Sequence, residues 1–189
     1  YEKLPLDTAG IVMGLVLILI HVVAIAKPKG TLDALRGMAQ SAPAGQALLT
    51  LDFLWIFLLL YDATWNPLCM SLFDFEPVRG IMILLCPIVW FLMATMVTEN
   101  LFGRALGLFL LLMALVPLTA AFLKDPVTRL LIPIWWYPVL TIAMFWVAKP
   151  YLFRNEVEAL ARRPRLFMGL NIFGAVYGAA VLLCAILFW

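Results

Sequence analysis

Ionisable side chains are scarce within the long apolar runs of this 189-residue chain, and they are the residues that could do chemistry there. His21 lies in the first run, Asp52 lies in the second, and Glu99 ends the third, five residues before Arg104. An ionisable group is costly to place in hydrocarbon, so such residues are functional candidates by default. One interpretation is a proton or cation relay through Asp52, His21 and Glu99. The other is an ion pair between Glu99 and Arg104 that fixes the register of the helices.

A cofactor would have to use His21, because it is the only histidine in the chain. A bis-histidine haem and a two-histidine metal site within the chain are therefore excluded. A single neutral imidazole can still ligate one haem or one chlorophyll-type macrocycle, or it can join two helices through a hydrogen bond. The sequence itself requires no cofactor. The cysteines, Cys69, Cys86 and Cys184, lie far apart without zinc-type spacing, so neither a metal site nor a disulfide is expected.

Catalytic motifs are absent from the sequence, which contains no His-Glu-x-x-His, Gly-x-Ser-x-Gly, Walker A or Gly-x-Gly-x-x-Gly pattern. No catalytic residue is therefore assigned. Composition excludes further classes: 66% of the residues are hydrophobic and 13% are charged, against about 45–50% and about 25% in soluble domains. A net charge of +2 leaves no field that would recruit nucleic acid. An ordinary soluble fold, a disordered chain and a nucleic-acid-binding protein are all excluded.

Six apolar segments organise the whole chain. Backbone in hydrocarbon must satisfy its own hydrogen bonds, and because these segments show no alternation of period two, they predict helices and not a barrel. We therefore predict an all-α integral membrane protein, a single polytopic domain over 1–189 with about six transmembrane helices and no soluble domain. The predicted spans are 8–26, 47–63, 78–97, 104–123, 127–148 and 166–189.

Small residues recur at a spacing of four in three of these spans. Helices in lipid associate through close backbone approach, which glycine permits, so these patterns predict helix packing. The packing could lie within the bundle, or the last span could instead dock on a partner subunit. The three Gly-x-x-x-Gly pairs are Gly10 with Gly14, Gly103 with Gly107, and Gly174 with Gly178.

Basic residues are divided unequally between alternate connections, nine against four. The nine lie in 27–46, 98–104 and 149–165, and the four are Lys3, Arg79, Lys124 and Arg129. The positive-inside rule places the larger group in the cytoplasm, so both termini are expected on the outer side of a prokaryotic cytoplasmic membrane. An odd number of spans would lose this division.

The two longest basic connections also carry signs of amphipathic helices. In 27–46, Leu32, Leu35 and Met38 recur every three residues, and in 149–165 the acidic Glu156 and Glu158 precede basic residues, with Asn155 as a candidate cap. Both connections are expected to contact anionic lipid headgroups on the cytoplasmic face.

These patterns favour a non-catalytic membrane subunit that assembles with other membrane proteins, because the spans hold little polar chemistry and offer several small-residue faces. The alternative is a small transporter or channel for an ion or solute, which the carboxylates and the prolines within the spans support. A further alternative is a pigment- or haem-binding subunit that uses His21.

Cysteine labelling tests the topology. In a variant without its native cysteines, Leu160→Cys is expected to react with an impermeant maleimide only after the membrane is opened, because 149–165 is placed inside. Lys124→Cys, in the opposite connection, should react in intact cells. Labelling of residue 160 from the outside would overturn the assignment of sides.

Overall fold

The structure is a computed structural model that describes residues 4–62, 70, 72–96 and 100–189. These residues form α-helices and short 3₁₀ turns, with no strand among them. The 3₁₀ turns Phe73–Val78 and Val127–Leu130 precede the fourth and sixth helices. The α-helices are α1 (Leu6–Ala26), α2 (Pro28–Gln40), α3 (Ala42–Leu60), α4 (Arg79–Met96), α5 (Leu101–Ala121), α6 (Leu131–Ala148), α7 (Tyr151–Arg162) and α8 (Pro164–Leu187).

Six of the described helices, α1, α3, α4, α5, α6 and α8, are long and apolar enough to cross a membrane. Each coincides with one of the six segments predicted from the sequence. The predicted helical class and the number of candidate spans are thus confirmed.

Two helices begin three or more residues before the predicted boundaries. The helix α3 begins at Ala42 and not near 47, because Ser41 Oγ accepts a hydrogen bond from the Ala44 N–H at 3.3 Å and Pro43 fits the first turn. The helix α5 begins at Leu101 and not at 104, directly after Asn100, whose φ is 51°. Asparagine tolerates this left-handed conformation. Hydropathy locates the apolar part of a helix, whereas these local backbone features set where it begins.

Close backbone contact joins α1 to α8, the pair of helices with the most extensive contact in the fold. A Cβ atom added at Gly14 would lie 2.9 Å from the carbonyl oxygen of Gly178, and one added at Gly178 would lie 3.1 Å from the carbonyl oxygen of Gly14. A Cβ atom at Gly10 would meet the ring of Trp189. The structure therefore places the small-residue face of α8 against α1 of the same chain.

The helix α5 is the other centre of packing, since it contacts α3 on one side and α6 on the other. A Cβ atom at Gly107 would lie 2.7 Å from the Ala143 carbonyl oxygen, and one at Gly103 would lie 2.9 Å from that of Pro150. Gly45 of α3, which the sequence patterns did not single out, also lies against α5. A Cβ atom added at Gly45 would lie 2.7 Å from the backbone nitrogen of Phe102.

The beginning of helix α4 is held by the side chain of Arg79. Arg79 Nη2 donates to the Met70 carbonyl at 2.8 Å, Nη1 donates to the Leu60 carbonyl at 3.3 Å, and Nε donates to Glu76 at 2.8 Å. Arg79 thereby ties the end of α3 to the start of α4. Over the rest of its length α4 lies along α3 and buries only Cys86.

The amphipathic helices α2 and α7 pack against each other. Leu32 and Ala39 are the buried residues of α2. Met38 of the predicted stripe is exposed in the structure, and the orientation of the stripe toward a membrane stays a prediction. Asn155 is not a cap, since α7 has already begun at Tyr151.

The connections group at two ends of the bundle. The start of α5 meets both the start of α3, at Gly45, and the start of α7, where Gly103 approaches Pro150. At the opposite end Trp189 covers Gly10 and its Nε1 donates to Thr128 Oγ1 at 2.8 Å. The basic connections that hold α2 and α7 therefore lie at one end of the bundle, and the start of α1 and the end of α8 lie at the other.

Gly178→Leu is expected to destabilise the fold by about 1–3 kcal/mol or more, because the added side chain would overpack the α1–α8 contact. Gly169→Leu is the matched control on the same helix, since nothing lies within 4 Å of a Cβ atom there. Thermal unfolding in detergent, followed by fluorescence-detected size exclusion, measures the difference. Equal unfolding midpoints for the two variants would contradict the packing.

Candidate functional site

His21 joins α1 to α8 through a polar contact. Its Nδ1 donates to Asn171 Oδ1 at 3.0 Å, and Asn171 Nδ2 donates to the Phe167 carbonyl at 2.8 Å. Asn171 is buried in the middle of an apolar helix, so the imidazole satisfies an amide oxygen that would otherwise lack a partner. This is the interhelical hydrogen bond that the sequence allowed as the alternative to cofactor ligation.

The second nitrogen of His21 has no space around it for a large ligand. A Cβ atom at Gly174 would meet His21 Nε2, so this nitrogen lies directly over the α8 backbone. The edge of the imidazole also meets Trp135 of α6, with ring centroids 6.0 Å apart at 81°. Ligation of a haem or a chlorophyll-type macrocycle by Nε2 would require α1 and α8 to separate.

Asp52 is an acidic residue in the middle of the apolar helix α3. It is 0% exposed, and neither carboxyl oxygen has a hydrogen-bond partner among the described residues. Along α3 it lies between Leu49, which packs against Leu101 and Ala105 of α5, and Trp55, whose ring meets Phe109 of α5 at 6.1 Å. A buried polar group without a partner costs about 1–3 kcal/mol.

The structure does not bring His21 and Asp52, two members of the predicted relay, into contact. His21 contacts α8 and α6, whereas Asp52 lies between α3 and α5, and no hydrogen bond links the two in the part of the chain that is described. Arg104 Nε is buried without a partner in that part, and Glu99 lies outside the described residues. Both the relay and the Glu99–Arg104 ion pair therefore stay predictions.

A basic cleft lies between α2 and α7. It encloses about 180 Å³, and its charged and polar lining consists of Arg36, Gln40, Arg154, Glu158 and Arg162. Arg36 and Gln40 come from α2, one turn apart, and the other three follow one another at a spacing of four along α7. The sequence assigned both segments to lipid headgroups separately, and only the fold shows that they share one cleft.

An apolar groove of about 240 Å³ lies between α3 and α4. Its floor includes Pro87 and Cys86 of α4, and its wall includes Phe53 and Phe57 of α3. Cys86 Sγ lies 3.6 Å from the Phe53 carbonyl oxygen. With an almost wholly apolar lining, this groove suits an acyl chain or an apolar helix surface and not a polar solute.

Asn171 and Gly45 are the residues that sequence reasoning missed. Asn171 carried a usable signal, because it is an amide within the last apolar run, three residues before Gly174. Gly45 had no second glycine at a spacing of four, so no pair pattern identified it.

Comparison with protein-family models, with curated proteins and with solved structures found no match to this chain.

Asp52→Val is expected to raise the free energy of unfolding by about 1–3 kcal/mol, since it replaces an unpartnered buried carboxyl with an apolar group. Thr50→Val, two residues earlier, is the control with the opposite sign, because Thr50 Oγ1 donates to the Gln46 carbonyl at 2.7 Å and accepts from Trp90 Nε1 at 3.1 Å. Thermal unfolding in one detergent compares them. Destabilisation by Asp52→Val would show that the carboxyl is bonded or solvated in the native bundle.

Proposed function

We propose that the chain is a six-span integral membrane protein that serves as a non-catalytic subunit of a larger membrane assembly. Its basic end faces the cytoplasm and both termini face outward, in a prokaryotic cytoplasmic membrane, because the basic connections share one end of the bundle. Its partners are the lipid bilayer and other membrane protein subunits.

The main support for this proposal is that polar side chains within the candidate spans form hydrogen bonds between helices. His21 is bonded to Asn171, and Trp90 Nε1 donates to Thr50. Tyr177 Oη donates to the Leu131 carbonyl at 2.6 Å. These groups hold helices together, so they are not free to bind and release a solute.

The helix α4 is the element that best suits contact with a partner. Among the described residues of the six candidate spans, α5 buries nine and α4 buries one. The face of α4 away from α3 exposes a stripe of large apolar side chains, Leu84, Ile88 and Phe91. A transmembrane helix of another subunit could pack on this stripe through van der Waals contact, which drives helix association in lipid.

A small transporter or channel is the second candidate, and Asp52 favours it. An unpartnered carboxyl at the centre of a candidate span is a common feature of ion and proton pathways. A pigment- or haem-binding role has less support, because His21 Nε2 lies over Gly174.

Gentle purification from the native membrane, followed by native mass spectrometry and an absorption spectrum of the same sample, tests the proposal. We expect reproducible partner subunits and no visible band. A colourless, solitary protein would contradict the subunit role; a proton flux in liposomes that Asp52→Asn abolished would then establish the transporter. A visible band that His21→Ala removed would establish the pigment role instead.

Paired triple variants locate the contact with the partner. Leu84→Ala, Ile88→Ala and Phe91→Ala together are expected to release the partner while the fold survives. Ile172→Ala, Val176→Ala and Leu183→Ala remove a similar exposed stripe from α8 and should retain it. Retention of the partner by both triples would exclude α4 as the contact.

A further inference from the structure

Three guanidinium groups converge on the cleft between α2 and α7. Arg36 comes from α2, and Arg154 and Arg162 come from α7. With Glu158 as the acidic residue of the lining, the formal charge of the cleft is three minus one, or +2. This charge is concentrated around a volume of about 180 Å³, which suits one compact anion better than an extended peptide.

The arginines keep donors available for a ligand. Arg36 lies 3.7 Å from Asp33, and Arg162 lies 3.7 Å from Glu158, both within a single helix and at exposed positions. Exposed ion pairs of this kind are worth little, so an anion can compete for the guanidinium groups. Arg154 has no hydrogen bond or ion pair among the described residues.

An apolar layer fixes the helices that carry these side chains. Ala39 and Val157 line the cleft and belong to a buried cluster with Phe102 and Phe153. Beside this cluster, Trp146 Nε1 at the end of α6 donates to Glu156 of α7 at 3.0 Å. The cleft therefore lies where the candidate spans end, at the level expected for lipid headgroups.

From this geometry we infer that the cleft between α2 and α7 binds a phosphate group, held by Arg36, Arg154 and Arg162. Guanidinium groups match phosphate oxygens in charge and in their paired hydrogen-bond geometry. The phosphate can belong to an anionic phospholipid headgroup or to a free phosphate ion, and both sources use the same chemistry. The inference does not depend on whether α4 binds a partner subunit.

Delipidated full-length protein in detergent, titrated with dioleoylphosphatidic acid and read by native mass spectrometry, tests the cleft. Arg36→Gln, Arg154→Gln and Arg162→Gln together are expected to weaken binding by about tenfold or more, because the direct guanidinium–phosphate hydrogen bonds are lost. The matched control, Lys29→Gln, Arg163→Gln and Arg165→Gln, removes the same charge at the same end but outside the cleft. It should weaken binding by less than about threefold, because long-range attraction alone is reduced.

A second arm identifies the source of the phosphate. Inorganic phosphate is titrated against lipid-free protein by calorimetry, with chloride at matched ionic strength as reference. Arginine-dependent binding of phosphatidic acid with no measurable phosphate binding assigns the site to a lipid headgroup, and the reverse assigns it to free phosphate. If the triple variant does not fold, Arg154→Gln alone replaces it, because this substitution breaks no described contact. It is expected to weaken binding of the phosphate probe by a smaller factor than the triple variant.

Equal losses in the two triple variants would overturn the inference, because binding would then depend on total charge and not on the cleft. It would also fail if neither phosphate probe required the three arginines. Arginine-dependent binding of a polyglutamate peptide alone would reassign the cleft to an acidic protein partner.

Discussion

Direct contact between the backbones of α1 and α8 is the interaction on which the bundle depends. Lipid tails are as apolar as leucine, so burial of apolar side chains drives helix association far less than it does in water, and close approach has to supply van der Waals contact instead. Gly14 and Gly178 permit that approach. Because these helices hold the first and last of the six candidate spans, their contact closes the bundle. It also brings His21 within hydrogen-bond distance of Asn171.

The helices α5 and α6 connect the rest of the bundle to this pair, and α5 contacts α1 directly. The helix α6 joins through Trp135, which meets both His21 and Tyr177, and through the Leu131 carbonyl that accepts from Tyr177. The helix α5 packs between α6 and α3, and α4 touches little besides α3. The low burial of α4 explains why we place the contact with a partner on this helix. Among the described residues, the carboxyl of Asp52 and the Nε of Arg104 are buried polar groups that the packing leaves without a partner.

The basic end of the bundle is built from amphipathic helices, unlike the candidate spans, which are apolar on all sides. There α2 and α7 each bury one apolar face against the bundle and each other, so their polar faces are held in a defined relation. Arg154 and Arg162 of α7 consequently face the same cleft as Arg36 of α2. A flexible basic loop would attract anionic lipid only through its charge, whereas a fixed pair of helices can also present a shaped site.

The helical class, the six candidate spans and the three Gly-x-x-x-Gly pairs could be read from the sequence, because hydropathy and residue size act within one segment. The tertiary structure alone decided that Gly14 meets Gly178, that His21 bonds an amide 150 residues away, and that Arg36 shares a cleft with Arg154. Spans that are apolar all round carry no preferred inward face, so their sequence does not specify how each helix is rotated about its axis. That rotation is fixed only by contacts between helices, and it decides which polar groups gain a partner and which, like Asp52, remain without one.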